Sequence, residues 1–162
     1  MNPPAPVTTT RGIWYEVSYR GTIRGNHVEN AGYRGEVIAG WPTDAGIHVS
    51  NSPDVSVIDN TVVNSLNGIV GHQAASYPDG RYGKNELRNL VVQGNTIVMP
   101  RGQSGVVENV GMTAVYVSWN NRFGSNRYIL GGNPTPFFWM GQNLDERQWQ
   151  AYGQGVNESY AR

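Results

Sequence analysis

The chain has 162 residues, a mass near 17.8 kDa, and 12 basic against 12 acidic side chains. That neutrality gives no electrostatic ground for a nucleic-acid or anionic-membrane partner, and no apolar run is long enough for a membrane-spanning helix. With no cysteine, disulfide scaffolds, thiol catalysis and cysteine-ligated metal sites are excluded.

Residues 1–10 are rich in Pro and Thr and lack the apolar stretch of a signal peptide. Beyond them the composition points to turns. Glycine occurs 21 times, asparagine 17 times and lysine once, as Lys84. Gly and Asn take left-handed backbone angles most readily, so their spread among short β-branched runs predicts short strands and tight turns. A start mark, Gly followed by Ile or Val, recurs at Gly12, Gly46, Gly68 and Gly105. A second mark, Asn-x-apolar, follows each at Asn26, Asn60, Asn95 and Asn121. The separations are 14, 14, 27 and 16 residues; the excess in the third lies in residues 73–89, which contain Tyr77-Pro78-Asp79-Gly80 and read as an inserted loop.

The unit GIHVSNSPDVSVIDNTVVNSLN, beginning at Gly46, is 22 residues long. It is too short to bury its own apolar face and must stack on copies of itself. Stacking predicts parallel strands and a corner ladder in which successive Asn amides hydrogen-bond from rung to rung. Toward the C-terminus, Asp145-Glu146-Arg147-Gln148 has capping-box spacing. Residues 145–152 are therefore predicted as a short helix covering the last rung.

The segments Gly12-Ile13-Trp14-Tyr15-Glu16, Gly46-Ile47-His48-Val49-Ser50 and Val57-Ile58-Asp59-Asn60-Thr61-Val62 resemble repeats of right-handed parallel β-helix proteins, relatives of the pectate lyase superfamily. The tail, with Pro136-Phe137-Phe138-Trp139-Met140 and Trp149-Gln150-Ala151-Tyr152-Gly153-Gln154, is similar to endings that close bacterial β-helices. The resemblance implies an all-β, right-handed parallel β-helix of about four rungs, with a lead over 1–11, rungs over 12–131 and a cap over 132–162. It also implies a C-terminal fragment of a secreted, extracellular bacterial protein whose partner is a polysaccharide.

Alternation along the strands gives the expected facing. Ile13, Ile47, Ile69 and Val106 should stack inward. The outward columns should be Trp14, His48, Val70 and Val107, then Glu16, Ser50, His72 and Asn109. Glu108 falls at an inward position, so a bulge or rung end is expected there. One face thereby collects Trp14, Glu16, His48, Ser50 and His72. Trp14 offers a plate for a sugar ring, Ser50 a hydroxyl, and Glu16, His48 and His72 are candidate acid–base groups. Arg81 and Tyr82, from the inserted loop, are candidate substrate contacts, Arg81 as neutraliser of a uronate carboxylate.

Two function classes follow. One is a carbohydrate-active enzyme fragment, a polysaccharide lyase, hydrolase or epimerase; the other is a non-catalytic structural or glycan-binding module. Neither requires a cofactor, and no metal-site spacing is present. An uncapped first rung would also allow self-association.

Overall fold

The computed structural model describes residues 11–32, 42–74 and 77–162. They form a parallel β-solenoid of about four turns, each turn laying down three strands. The first turn holds β1 (Ile13–Glu16), β2 (Thr22–Arg24) and β3 (His27–Glu29). The second holds β4 (Ala45–Ser50), β5 (Ser56–Ile58) and β6 (Thr61–Val63). The third holds β7 (Asn67–Gln73), β8 (Val91–Gln93) and β9 (Thr96–Val98). The fourth holds β10 (Ser104–Glu108), the short helix α1 (Ala114–Val117), β11 (Arg122–Gly124) and β12 (Arg127–Ile129). Like strands stack into three sheets, β1-β4-β7-β10, β2-β5-β8-β11 and β3-β6-β9-β12, and every pairing within these runs is parallel.

The three-residue strands show why these segments fold this way. In β2, β3, β5, β6, β8, β9, β11 and β12 the central residue is buried and its neighbours are more exposed. The inward columns are Ile23-Val57-Val92-Phe123 in the second sheet and Val28-Val62-Ile97-Tyr128 in the third. β-Branched residues suit such a pleated, half-buried surface, and each one fully buried contributes roughly 1.5–3 kcal/mol.

The turn between the second and third sheets repeats one device. Gly25, Asp59, Gly94 and Ser125 all have positive φ, and each is followed by Asn26, Asn60, Asn95 and Asn126 respectively. The left-handed residue turns the chain and the Asn side chain then lies along the stack. Asn60 Oδ1 accepts from the Asn26 backbone N–H at 3.0 Å and from Asn26 Nδ2 at 2.9 Å. Asn95 Oδ1 accepts likewise from Asn60, and Asn126 Oδ1 from Asn95.

The predicted ladder therefore exists, with one member corrected: its fourth rung is Asn126, not Asn121. Asn121 sits at the corner leading into β11, where its Oδ1 accepts from Leu90 N–H and its Nδ2 donates to Leu87 O and Val115 O. The fourth turn carries its own insertion, including α1, and Asn126 lies 21 residues after Gly105.

The fourth turn also corrects the inward column. Ile13, Ile47 and Ile69 align, but Val106 pairs with Gly71, one layer along, beside Tyr15 and Val49. Gly71 presents no side chain, and a Cβ there would come within 3.2 Å of Val106 Cγ2. Ser104 takes the layer of Ile69 and accepts a hydrogen bond from its N–H through Oγ. Consequently His72 pairs with Val107 and Val70 with Gly105. Glu108 pairs in register with Gln73 without a bulge. Its carboxylate ends the strand by accepting from the backbone N–H groups of Val110 and Met112.

Beyond the fourth turn, β13 (Phe137–Trp139) continues the first sheet and β14 (Gln142–Leu144) turns back antiparallel. The helix α2 (Glu146–Ala151) follows, starting with the predicted capping box: Asp145 accepts from Gln148 N–H, and Gln148 Oε1 accepts from Asp145 N–H. Trp149 is fully buried and its ring stacks on Phe137, with centroids 4.6 Å apart. The last strand, β15 (Ser159–Ala161), pairs with β12. Glu158 precedes it in the ladder's fifth position, accepting from Asn126 Nδ2, Trp149 Nε1 and Tyr160 Oη. At the opposite end β1, β2 and β3 are the outer strands of their sheets among the described residues. Residues 1–10, the Pro-rich lead, lie outside the described residues.

Candidate functional site

The structure brings Trp14, His48 and His72 together on the outer face of the first sheet, as their register requires. Trp14 pairs with His48, and Glu16 with Ser50 and then His72. Ring centroids are 6.4 Å apart for Trp14 and His48 and 5.5 Å for His48 and His72. Trp14 is 53% exposed. Its ring is already engaged, because the Arg11 guanidinium lies 4.2 Å from its centroid while Arg11 Nε donates to His48 Nδ1 at 2.7 Å. Trp14 thus has a packing role that its outward position concealed.

The centre of this face is closed. His48 and Ser50 are each 1% exposed. Ala45, Val70, Val107 and Phe138 form a second buried apolar cluster distinct from the main core. Ser50 Oγ donates to Asn51 Oδ1. Burial, then the Arg11 charge, then His72, lowers His48 from 6.5 to about 3, with the Thr43 backbone opposing. Burial, followed by Arg11, lowers His72 to about 4. Both imidazoles are therefore neutral near pH 7. A proton-transfer group works best with its pKa near the working pH, so these two are poorly matched to acid–base chemistry there. Glu16 is half-buried on the same face.

Arg81 and Tyr82 are not part of this patch. They lie where the loop after β7 meets the turns after β1 and β4. Tyr82 meets Tyr19 edge-on at 5.6 Å, Arg81 lies 5.5 Å from the Tyr82 ring, and Tyr19 Oη donates to Gly83 O. Here a cleft of about 200 Å³ is lined by Tyr19, Arg20, Asp54, Tyr82, Lys84 and Arg88, with Glu86 and Pro53. Lys84 lies 3.7 Å from Glu86, and Arg88 also pairs with Glu86. Asn89 Nδ2 donates to Asp54 Oδ1 at 2.7 Å.

A second cleft of about 160 Å³ adjoins it and shares Lys84 and Glu86; Gln73, Tyr77, Asp79, Asn85 and Met112 complete its walls. Met112 comes from the fourth-turn insertion, so two inserted loops close around this space.

Sequence reasoning identified the insertion but missed Tyr19, Asn85 and Arg88 as contributors. Tyr19 and Arg88 flank strands as ordinary turn residues, and only rung stacking brings them together. Among the described residues no group of three or more His, Asp or Glu converges as a metal site, and no helix is long and apolar enough to cross a membrane. Comparison with known proteins finds no matching family model, curated protein or solved structure.

Proposed function

We propose that this chain is a glycan-binding β-solenoid module whose ligand surface is the loop cluster at the C-terminal ends of the first-sheet strands. The observation that carries this reading is the pair of adjoining clefts. They present exposed Tyr77 and Tyr82, at 40% and 62%, beside Arg20, Lys84, Arg88, Asp54 and Asp79. Flat aromatic rings take the apolar faces of sugar rings, and the charged and amide groups around them take hydroxyls and carboxylates. An enzymatic reading has less support, because His48 is buried, His72 is half-buried, and both are neutral near pH 7.

Tyr82→Ala tests the reading. Tyr82 is mostly exposed, so the fold should be unaffected and the melting temperature should stay within error of the parent. Affinity for an extracellular polysaccharide found by array screening should fall about tenfold, equivalent to ~1.4 kcal/mol, measured by titration calorimetry. Unchanged affinity in the variant would place the glycan site elsewhere.

A further inference from the structure

The larger cleft draws its lining from two places. Tyr82, Lys84, Glu86 and Arg88 belong to the third turn, and Tyr19, Arg20, Pro53 and Asp54 to the first two. Its shape therefore depends on what joins them. The legs of the third-turn insertion are tied within their own turn. Leu87 N–H donates to Gln73 Oε1 at 2.7 Å, and Asn85 Nδ2 donates to Pro78 O at 2.8 Å. At the tip, Gly80 and Gly83 exchange backbone hydrogen bonds of 2.9 and 3.2 Å, which leaves Arg81 and Tyr82 as a two-residue turn.

Tyr19 meets this tip from 64 residues away in sequence. Its Oη donates to Gly83 O at 2.8 Å, and its ring stands edge-on to Tyr82 with centroids 5.6 Å apart. A Cβ on Gly80 would clash with Tyr19 Oη, so the hydroxyl occupies space that the glycine leaves. The backbone around Tyr19 is fastened to the second turn on both sides. Ser18 N–H donates to Ser52 Oγ, and Arg20 N–H donates to Pro53 O. Tyr15 Oη donates to the Tyr19 carbonyl. Tyr19 thus links anchored rungs to the loop tip that carries Arg81 and Tyr82.

We propose that Tyr19 is the positioning residue of the glycan site: it fastens the insertion tip to the first turn and so holds Arg81 and Tyr82 at the cleft. This rests on the glycan-binding reading above. Local opening of the tip then competes with binding, because only the fastened fraction takes ligand and apparent affinity falls with that fraction. Loss of a direct ligand contact mainly speeds dissociation, whereas loss of the fastening slows association.

Two variants of the full chain probe the contact from opposite sides. Tyr19→Phe keeps the ring and removes the hydroxyl. Gly80→Ala keeps the hydroxyl but displaces it; Gly80 lies outside the left-handed region, so alanine fits its backbone. Exchange of the Gly83 amide, followed by NMR, should quicken about fivefold in both variants, with the melting temperature unchanged. Binding kinetics are then measured on the tightest binder among immobilised polygalacturonate, alginate, hyaluronan and cellulose oligosaccharides. Association should slow about threefold in both variants while dissociation stays as in the parent. Unchanged Gly83 exchange in both variants, or faster dissociation at an unchanged association rate, overturns the positioning role while the glycan-binding reading stands. If none of the four oligosaccharides binds the parent, that reading falls, and Gly83 exchange alone decides whether Tyr19 fastens the tip.

Discussion

Asn95→Ala should lower the unfolding free energy by about 3 kcal/mol, whereas Asn26→Ala should cost about 1 kcal/mol or less. The contrast follows from position in one ladder. Asn95 is 1% exposed. Its Oδ1 takes both the backbone N–H and the Nδ2 of Asn60, and its Nδ2 donates to Val57 O, Gln93 O and Asn126 Oδ1. Truncation therefore strands two donors and several acceptors in the interior. Asn26 stands at the outer end, half-exposed, where solvent replaces what the side chain loses. Denaturant titration of both variants measures the difference. Equal losses would mean that each Asn acts only through its local turn and that the stacked amides contribute nothing collectively.

Acidification should destabilise the fold from about pH 6.5 downward, and His48→Asn should remove about half of that dependence. In the unfolded chain an imidazole takes a proton near 6.5, whereas folded His48 does so only at about 3. Between those values the unfolded state binds the extra proton and the folded state does not. Stability is thus fully present above about pH 6.5 and falls with pH toward the folded value, by about 4 kcal/mol for His48. His72, lowered to about 4, acts in the same direction. Glu158 acts in the opposite one: burial raises its carboxyl above the ordinary range, so protonation in acid favours the folded state there. The Asn variant keeps an acceptor for Arg11 Nε while removing the titrating ring, so it isolates the His48 contribution. Melting temperatures of both proteins from pH 8 to pH 4 decide the matter; parallel curves would show that His48 carries none of the acid sensitivity.

Much of the solenoid was legible because its signals are local. Val57-Ile58-Asp59-Asn60-Thr61-Val62 states a whole corner: an inward residue, a left-handed position, a ladder Asn and another inward residue. The same pattern stands in Phe123-Gly124-Ser125-Asn126-Arg127-Tyr128. There the central Tyr128 does not look apolar and Ser125 does not advertise positive φ, so Asn121 drew attention instead. Tyr128 is nevertheless fully buried, stacked against Tyr160 and edge-on to Phe137. The capping box at Asp145 was legible for the same reason, since its four residues carry the complete hydrogen-bonding pattern.

The sequence by itself thus determined the parallel stacking, the corner chemistry and the C-terminal helix. Units this short have only one way to bury their apolar residues, and left-handed turns select Gly, Asn and Asp. Tertiary structure alone decided the rest. It set the fourth turn one layer along, pairing Val106 with Gly71, whose missing side chain leaves room for Leu87, Leu90 and Val106. It buried His48 and Ser50 on a face that alternation makes outward, because alternation specifies direction and says nothing of what lies above a sheet. It also separated Arg81 and Tyr82 from Trp14 and joined them to Tyr19 and Arg88. The path of an inserted loop is fixed by the rungs it rests on, not by its own residues.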